Sequence, residues 1–481
     1  MHTIAIIGGG FCGSIAAVNL MRLSEGPLRV ALINCGFPVG RGVAYGTRRP
    51  EHLLNVAARN MSALADHPNH FLDWLRTRTE YADIPEAVLR ETFIPRRVYG
   101  DYLRGLLQWH ARPIRDGHAA SIEFYDKEAV NITLRDGGAT VVFADGDSIA
   151  ADKVLLATGN QRPAAMPGDG APFTHPAYID VPWHDWESRL PDRHQDVVLL
   201  GTGLTTVDAF LTLSALDWRG TIFAVSRNGL LPHAHFRGIE YPEFPPEDPS
   251  ALGLNELAVL LEEHCGRLRG LGANPAIAVD KLRPHTQRIW RNWSLADKRE
   301  FCRRYAARWN VLRHRIAQDV HQRVTTALTD GRLQIVKGTI AALASAGSRV
   351  RVTVAGTSGA NVVLEAGLVI NGTGPQTSFT AGSSLLYRNL LTDGRVVVDE
   401  LDMGVQVDED FGVRERDGRR SPVLFAIGPP IKGTLWETTA VPELRQQTYR
   451  VAQTMLEECG LGEPAPRLGT TADQELLEYC I

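Results

Sequence analysis

The sequence predicts an α/β protein built on two Rossmann-like dinucleotide-binding units, with a helical insert. Three observations lead there. The apolar run Ile4-Ala5-Ile6-Ile7 passes directly into Gly8-Gly9-Gly10-Phe11-Cys12-Gly13 and a helix-forming stretch from Ser14. The same order returns about 190 residues later, where Val197-Val198-Leu199-Leu200 precedes Gly201-Thr202-Gly203-Leu204-Thr205-Thr206. Helical periodicity then takes over between about residues 254 and 330 before strands resume. One glycine turn of this kind is weak evidence for a ligand. Two in one chain are far more specific.

Composition sets the outer limits. A chain of 481 residues exceeds what one core usually supports, so two or three domains are expected. A net charge of −4 argues against nucleic acid as a main partner. The six cysteines are scattered and form no Cys-x-x-Cys, which indicates neither a metal knuckle nor a dithiol pair. No metal site is expected, and so few cysteines fit a reducing cytoplasm. Residues 4–20 carry four glycines and lack a basic leader, so they read as the first fold element and not as a signal peptide or membrane span.

In the first unit, Gly8 permits a tight turn, Gly10 lets backbone approach a phosphate, and Gly13 lets helix pack close to strand. Leu28 to Asn34 is the second strand. Its last position usually holds an acid for the ribose hydroxyls, and Asn34 can still bond one of them. Gly40-Arg41-Gly42-Val43-Ala44-Tyr45-Gly46 follows, read as backbone lying flat on a ligand, with a surface loop as the alternative. Arg41 and Arg48 are candidates to neutralise phosphate. Residues 71–75 and 99–109 read as amphipathic helices. Arg96 and Arg97 at the start of the second hint at an anionic partner or form a solvated pair. Strands follow from Ile122 to Phe143, with Val130 among the cofactor candidates. The strand Lys153 to Leu156 ends in Ala157-Thr158-Gly159.

In the second unit the third glycine is Thr206, which sets helix and strand slightly farther apart. The strand Thr221 to Val225 ends in Ser226-Arg227, and an arginine there suits a 2′-phosphate, favouring NADPH over NADH. Two dinucleotides in one chain imply electron transfer, with FAD first and the nicotinamide donor second. Leu254 to Leu268 and Ala296 to Leu328 read as helices. Tyr305 and Trp309 share a face as core, and Arg303, Arg304, Arg308, Arg313, His314 and Arg315 form a solvated or ion-paired face or guide anions. Strands resume, and Leu368 to Gly374 repeats the Thr-Gly ending, so Gly374 and Gly159 read as crossings beside the cofactors. Thr438 or Thr439 is placed to cap a last helix whose N-terminus faces the flavin, with Pro442 in its first turn.

These residues together resemble the two-dinucleotide flavoproteins, and within them a bacterial group of FAD/NAD(P)-binding proteins similar to class B and N-hydroxylating flavin monooxygenases. The likeness rests on Gly8 to Gly13, Gly40-Arg41-Gly42 with Ala44-Tyr45, and Leu53-Leu54-Asn55-Val56 with Met61. It continues in Gly201-Thr202-Gly203-Leu204-Thr205, Ser226-Arg227, and Ile427-Gly428-Pro429-Pro430 through Trp436-Glu437 to Pro442-Glu443-Leu444-Arg445. The resemblance implies that the NADPH domain is inserted into the FAD domain. Residues 1–165 and 346–481 would form the FAD domain, and 166–345 the NADPH domain. Gly8 to Gly13, Asn34 and Gly428 would hold FAD, Gly201, Gly203 and Arg227 would hold NADPH, and Asn55 would lie beside the isoalloxazine as the candidate catalytic donor. Pro429 and Asn34 depart from the acids usual in related flavoproteins.

The expected activity is an NADPH-dependent FAD monooxygenase. It would use molecular oxygen, through a C4a-hydroperoxyflavin, on a small nucleophile such as an amine or amino acid. Two alternatives stand beside it: an oxidoreductase passing electrons to a quinone or protein, and a redox sensor without turnover.

Overall fold

The computed structural model describes residues 1–112, 120–168, 171–236, 241–356 and 359–463; Cys480 lies outside them. The opening strand β1 (His2–Ile7) and helix α1 (Phe11–Leu23) frame the first glycine turn, and β2 (Leu28–Asn34) follows. Six strands form the first sheet, in the order Gly412–Arg414, Arg420–Ala426, Lys153–Leu156, β1, β2 and Ser121–Asp126. All neighbours are parallel except the edge pair 412–414 and 420–426. Its central strands are apolar because they are covered, by α1 packed on β1 and β2 and by a further sheet packed on β1 and Lys153–Leu156. Helix α1 is buried at every position from Phe11 to Met21. It packs against Arg96–His110 and the C-terminal helix Val441–Glu458. That explains why its sequence shows no polar face.

Seven strands form the second sheet, in the order Asn361–Ala366, Arg349–Gly356, Leu333–Ala346, Ile222–Ser226, Val197–Leu200, Leu368–Asn371 and Tyr178–Ile179. The strand 333–346 pairs in parallel with 222–226 over residues 333–337 and antiparallel with 349–356 from Gly338 on, with a bulge between Ile340 and Ala342. Leu368–Asn371 pairs with Val197–Leu200. The strands 349–356, 361–366 and 368–371, placed above with the FAD half, therefore belong to the second sheet. A long hairpin carries the chain out and back before it leaves. The Thr-Gly endings at 158–159 and 373–374 each follow the strand beside a glycine turn, one in each sheet. A third, antiparallel sheet of Ala129–Arg135, Gly138–Phe143 and Ser148–Ala151 covers the first.

The insert holds the helices Leu254–Gly270, Ala276–Leu282, Thr286–Asn292, Leu295–Arg304, Ala306–Arg313 and Gln318–Thr329. The single run expected over 296–328 is thus broken twice. The second break has a clear cause: the backbone at Ile316 exchanges hydrogen bonds with His233 and His235. The insert's core stacks Trp290, Trp293, Phe301 and Trp309. Arg313 and Arg315 are buried and not on a solvated face. Arg313 lies 3.3 Å from Glu437 and 3.4 Å from Glu443, Arg283 lies 2.8 Å from Glu443, and Arg315 lies 2.6 Å from Asp280. This buried cluster ties the insert to the start of the C-terminal helix. Among the described residues no helix is long and apolar enough to cross a membrane.

Candidate functional site

Both glycine turns sit at the carboxyl ends of parallel strands, where open α/β sheets bind ligands. The glycines divide into two kinds. A Cβ at Gly8 would lie 2.3 Å from the Ala157 carbonyl oxygen, at Gly13 1.8 Å from that of Gly8, and at Gly201 2.4 Å from that of Gly372. Gly8 and Gly201 also have φ of +111° and +110°. Packing and conformation demand glycine there. At Gly10 and Gly203 neither does. Their φ values of −76° and −85° suit any residue. A Cβ would be 3.8 Å from its nearest neighbour at Gly10 and would meet nothing within 4 Å at Gly203. Each is the N-cap of a helix of twelve or more residues and offers no side-chain cap. Clearance for something approaching the helix N-terminus is what glycine supplies at these two positions. The cradle therefore fits a dinucleotide pyrophosphate in both units.

The Gly40–Gly42 segment lies flat on the first turn. The Gly40 N–H donates to the Gly9 carbonyl at 2.8 Å, and a Cβ at Gly42 would stand 2.9 Å from Gly10 Cα. Beyond it, Gly42–Tyr45 makes one helical turn. From there a cavity of about 1260 Å³ extends between the two units. Ala44, Tyr45, Leu54, Asn55, Val56 and Met61 line it from the first unit, and Gly203, Leu204, Thr205, Ser226 and Arg227 from the second. Thr439, Ala440 and Val441 bring the N-terminus of the C-terminal helix to its wall.

Other expected site residues lie elsewhere. Asn34 is held by the protein, accepting from the Gly9 N–H at 2.9 Å and donating to the Phe37 carbonyl at 2.7 Å. Its amide shapes the turn, leaving one N–H and one lone pair. Arg41 pairs with Asp101. Arg96 pairs with Asp208, which locks the helix 96–110 to the second unit. Phe11 and Cys12 are buried in the first turn of α1. Gly428 packs on Cys12 Sγ, where a Cβ would come to 2.9 Å. Val130 falls at the ladder irregularity of its strand, and its carbonyl accepts from Asn389 Nδ2 at 2.8 Å. Thr158 meets the Tyr387 hydroxyl at 3.0 Å. Gly159 and Gly374 adopt φ of +72° and +85° over open space.

Two expectations are corrected. Trp436 is a core residue, stacked 4.8 Å from Trp290. Thr438 is fully buried and bonded to Gln447, and the N-cap of the last helix is Ala440, so neither Thr438 nor Thr439 caps it. In the second unit the Thr206 hydroxyl donates to the Gly201 carbonyl at 2.9 Å, making a bond where Gly13 makes a bare contact.

His52, His235 and Lys432 were not legible as site residues. His235 Nε2 lies 2.8 Å from the Asn55 carbonyl and fixes that residue's backbone. His52 bridges Thr47 and Thr212, both at 2.8 Å. His314 and Lys432 line the cavity. Burial pushes His235 and His314 down to about 4, aided by nearby arginines. Burial pushes the Cys12 thiol up to about 12, so it is no nucleophile. The Asn55 side chain has no hydrogen-bond partner among the described residues and stands in the cavity wall.

Two outcomes follow. Gly201→Ala should cost at least about 2 kcal/mol in denaturant unfolding. Gly203→Ala should leave stability within about 0.5 kcal/mol, while weakening dinucleotide binding at least about tenfold by calorimetry. The histidines set a pH dependence. Each has a folded pKa below its unfolded value, so the unfolded chain binds more protons between about pH 6.5 and 4. Stability should be full above that window and fall by about 2 kcal/mol per histidine from pH 6.5 to 5. His235→Gln should remove part of that slope.

Residues 5–161 match the family model described as FAD-NAD(P)-binding. No curated protein matches the chain. Among solved structures it is similar to ornithine N-hydroxylase of Kutzneria sp. 744, at 15% identity and TM-score 0.64, covering 95% of this chain and 100% of that one. L-lysine 6-monooxygenase from Pseudomonas syringae matches at 17% identity and TM-score 0.61, covering 95% and 100%. Bacillithiol disulfide reductase from Bacillus cereus matches at 14% identity and TM-score 0.52, covering 95% and 99%. Such likenesses establish the fold, and with the family match they show a chain built on an FAD-NAD(P)-binding domain in the fold of the two-dinucleotide flavoproteins.

Proposed function

We propose that the protein is an NADPH-dependent FAD monooxygenase acting on a nitrogen or similar nucleophile of a small molecule. The observation that carries this reading is the pair of glycine N-caps, Gly10 and Gly203, that packing does not require, with one cavity reaching from the loop over the first to the second. In this reading the first sheet holds FAD and the second holds NADPH. When bound, FAD would take hydride from NADPH and activate oxygen, so the cofactor carries the chemistry.

The chain's own residues position and enclose. Ala44, Tyr45, Leu54 and Met61 would supply an apolar wall for the flavin, and the N-terminus of helix 441–458 would offer its positive end to it. Asn55, held through its carbonyl by His235, would present its amide to the reacting oxygen. Arg227 is exposed at the end of strand 222–226, and no ion-pair partner is seen for it among the described residues. It is assigned to the 2′-phosphate of NADPH. The insert residues Ala307, Asn310, Val311 and His314 close the cavity on the side left for substrate.

A second reading, transfer of electrons to a quinone or protein, draws support from the likeness to a reductase. A dithiol route is disfavoured: Cys12 is sealed under Gly428, and no Cys-x-x-Cys occurs.

The deciding experiment follows oxygen uptake by the FAD-loaded protein with NADPH and a panel of amines. A hydroxylated product matching the NADPH consumed, with little peroxide, is expected. Peroxide alone, together with anaerobic turnover of an artificial acceptor, would transfer the assignment to the reductase reading. Arg227→Ala should raise the KM for NADPH by about 10 to 100-fold and leave that for NADH nearly unchanged.

A further inference from the structure

Tyr45 stands in the cavity wall assigned to the flavin. It is the first of a file of rings that leads away from the cavity through the helices 96–110 and His70–Arg76. The Tyr45 and Tyr99 ring centres are 4.7 Å apart, those of Tyr99 and Tyr102 5.5 Å, and those of Tyr102 and Trp74 5.5 Å. Tyr99 and Tyr102 are fully buried. Trp74 is half-buried, with the exposed Arg78 guanidinium 5.2 Å from its ring centre. The file thus has one end at the cavity and the other at the surface. The insert's aromatic core is as dense, but its rings are buried throughout and Trp436, Trp290 and Trp309 do not line the cavity.

Packing alone does not explain the hydroxyls of this file. That of Tyr99 is buried without a hydrogen-bond partner, a cost phenylalanine would avoid. The Tyr102 oxygen accepts from the Ala63 N–H at 3.3 Å, which leaves its proton for His70 Nδ1 at 2.9 Å. Burial lowers the proton affinity of His70, so its ring is neutral and that nitrogen can take a proton. A phenol beside a base gives up an electron more readily, because its proton leaves at the same time.

We propose that Tyr45, Tyr99, Tyr102 and Trp74 form a one-electron path that protects the cavity, delivering electrons to oxygen radicals formed there when reduced cofactor and oxygen meet without substrate. The electron comes from Tyr102 by way of Tyr99 and Tyr45, and the Tyr102 proton moves to His70. An electron from Trp74 restores Tyr102, and the proton returns to it. A thiol in solution refills Trp74. In sum, a hydroxyl-class radical takes one electron from the path and one proton from solvent to give water. The thiol loses one electron to the path and one proton to solvent and becomes a thiyl radical. The path rests on FAD lying against Tyr45, and it serves a hydroxylase and a reductase alike.

The test uses the FAD-loaded protein and a light pulse, which turns the bound flavin into a one-electron oxidant. Flavin fluorescence should be quenched in the wild-type protein and recover in Tyr45→Phe. Tyrosine and then tryptophan radicals should follow the pulse and be cleared by dithiothreitol. Trp74→Phe and Tyr102→Phe should each lose the tryptophan radical, and Trp109→Phe, an exposed tryptophan off the path, should keep it. The first two variants should bind FAD and oxidise NADPH as the wild-type protein does. During substrate-free turnover with catalase present, peptide masses should show oxidised cavity residues, Met61 among them, accumulating several-fold faster in those two variants. The proposal is overturned if Trp74→Phe keeps the tryptophan radical, or if the damage in both variants matches that of the wild-type protein. Quenching that depends on Tyr45, with no radical at Trp74, would overturn the path and uphold the flavin's place. Quenching indifferent to Tyr45 would overturn both.

Discussion

The structure depends on one close approach. The Gly8 carbonyl occupies the place where a side chain at residue 13 would begin, 1.8 Å from an ideal Cβ. This seats the first turn of α1 directly on the end of β1, so the helix N-terminus is aimed where the strand points. Everything around the first site follows from that seat. α1 becomes a buried rod with the helices 96–110 and 441–458 against it. Gly428 closes on Cys12, and the last helix then starts at the cavity wall. The second unit reaches the same geometry differently. There a Thr206 hydroxyl bonds the Gly201 carbonyl, so the helix is held at the distance of a hydrogen bond and not of a bare backbone contact.

The other organising feature is the charge cluster between the insert and the last helix. Taking Arg313, Arg283, Glu437 and Glu443 out of water is expensive, and such groups rarely add net stability over apolar residues of the same size. Breaking one partner leaves a buried charge unmatched, so the arrangement fixes one docking of insert on helix and penalises the others. Trp309 adds to this by donating to Glu437 at 2.8 Å, and Trp436 enters the insert's aromatic core. The cavity wall made by residues 307–314 is thereby set in register with the wall made by residues 439–441.

Much of the fold was legible because its signals are local. A parallel strand buried on both faces is a short apolar run, and a glycine turn with a following helix is contiguous in sequence. The sheets, both turns and the residues that meet in the cavity, from Ala44 to Met61 and from Gly203 to Arg227, were readable in that way. What was not readable depends on partners far away in sequence. Asn34 reads as a ribose position, and its sequence gives no sign that Gly9 and Phe37 take one lone pair and one N–H of its amide. Thr438 looks like a cap until Gln447 takes its hydroxyl, and Trp436 looks like a flavin neighbour until Trp290 stacks on it. Arg313 and Arg315 have the composition of a wet helix face, but the backbone pairing at Ile316 turns the chain inward there. The strands 349–356, 361–366 and 368–371 carry no signal of which sheet they join.

The same remoteness explains why fold alone does not choose the chemistry. Hydroxylases and a disulfide reductase share this architecture, so the difference must lie in what faces the flavin. A dithiol route requires paired thiols at that face, and here the one cysteine in the first turn is sealed by Gly428 and held firmly protonated. What faces the cavity instead is an unpartnered amide at Asn55, a neutral His314 and a lysine without a carboxylate of its own. Those are groups that receive a molecule and orient it, not groups that attack it. In the proposed reading, selection of the substrate would therefore reside in the insert and the segment before the last helix, the two stretches joined by the buried charges. Neither carries a recognisable motif, because their task is defined by the shape and charge they make together.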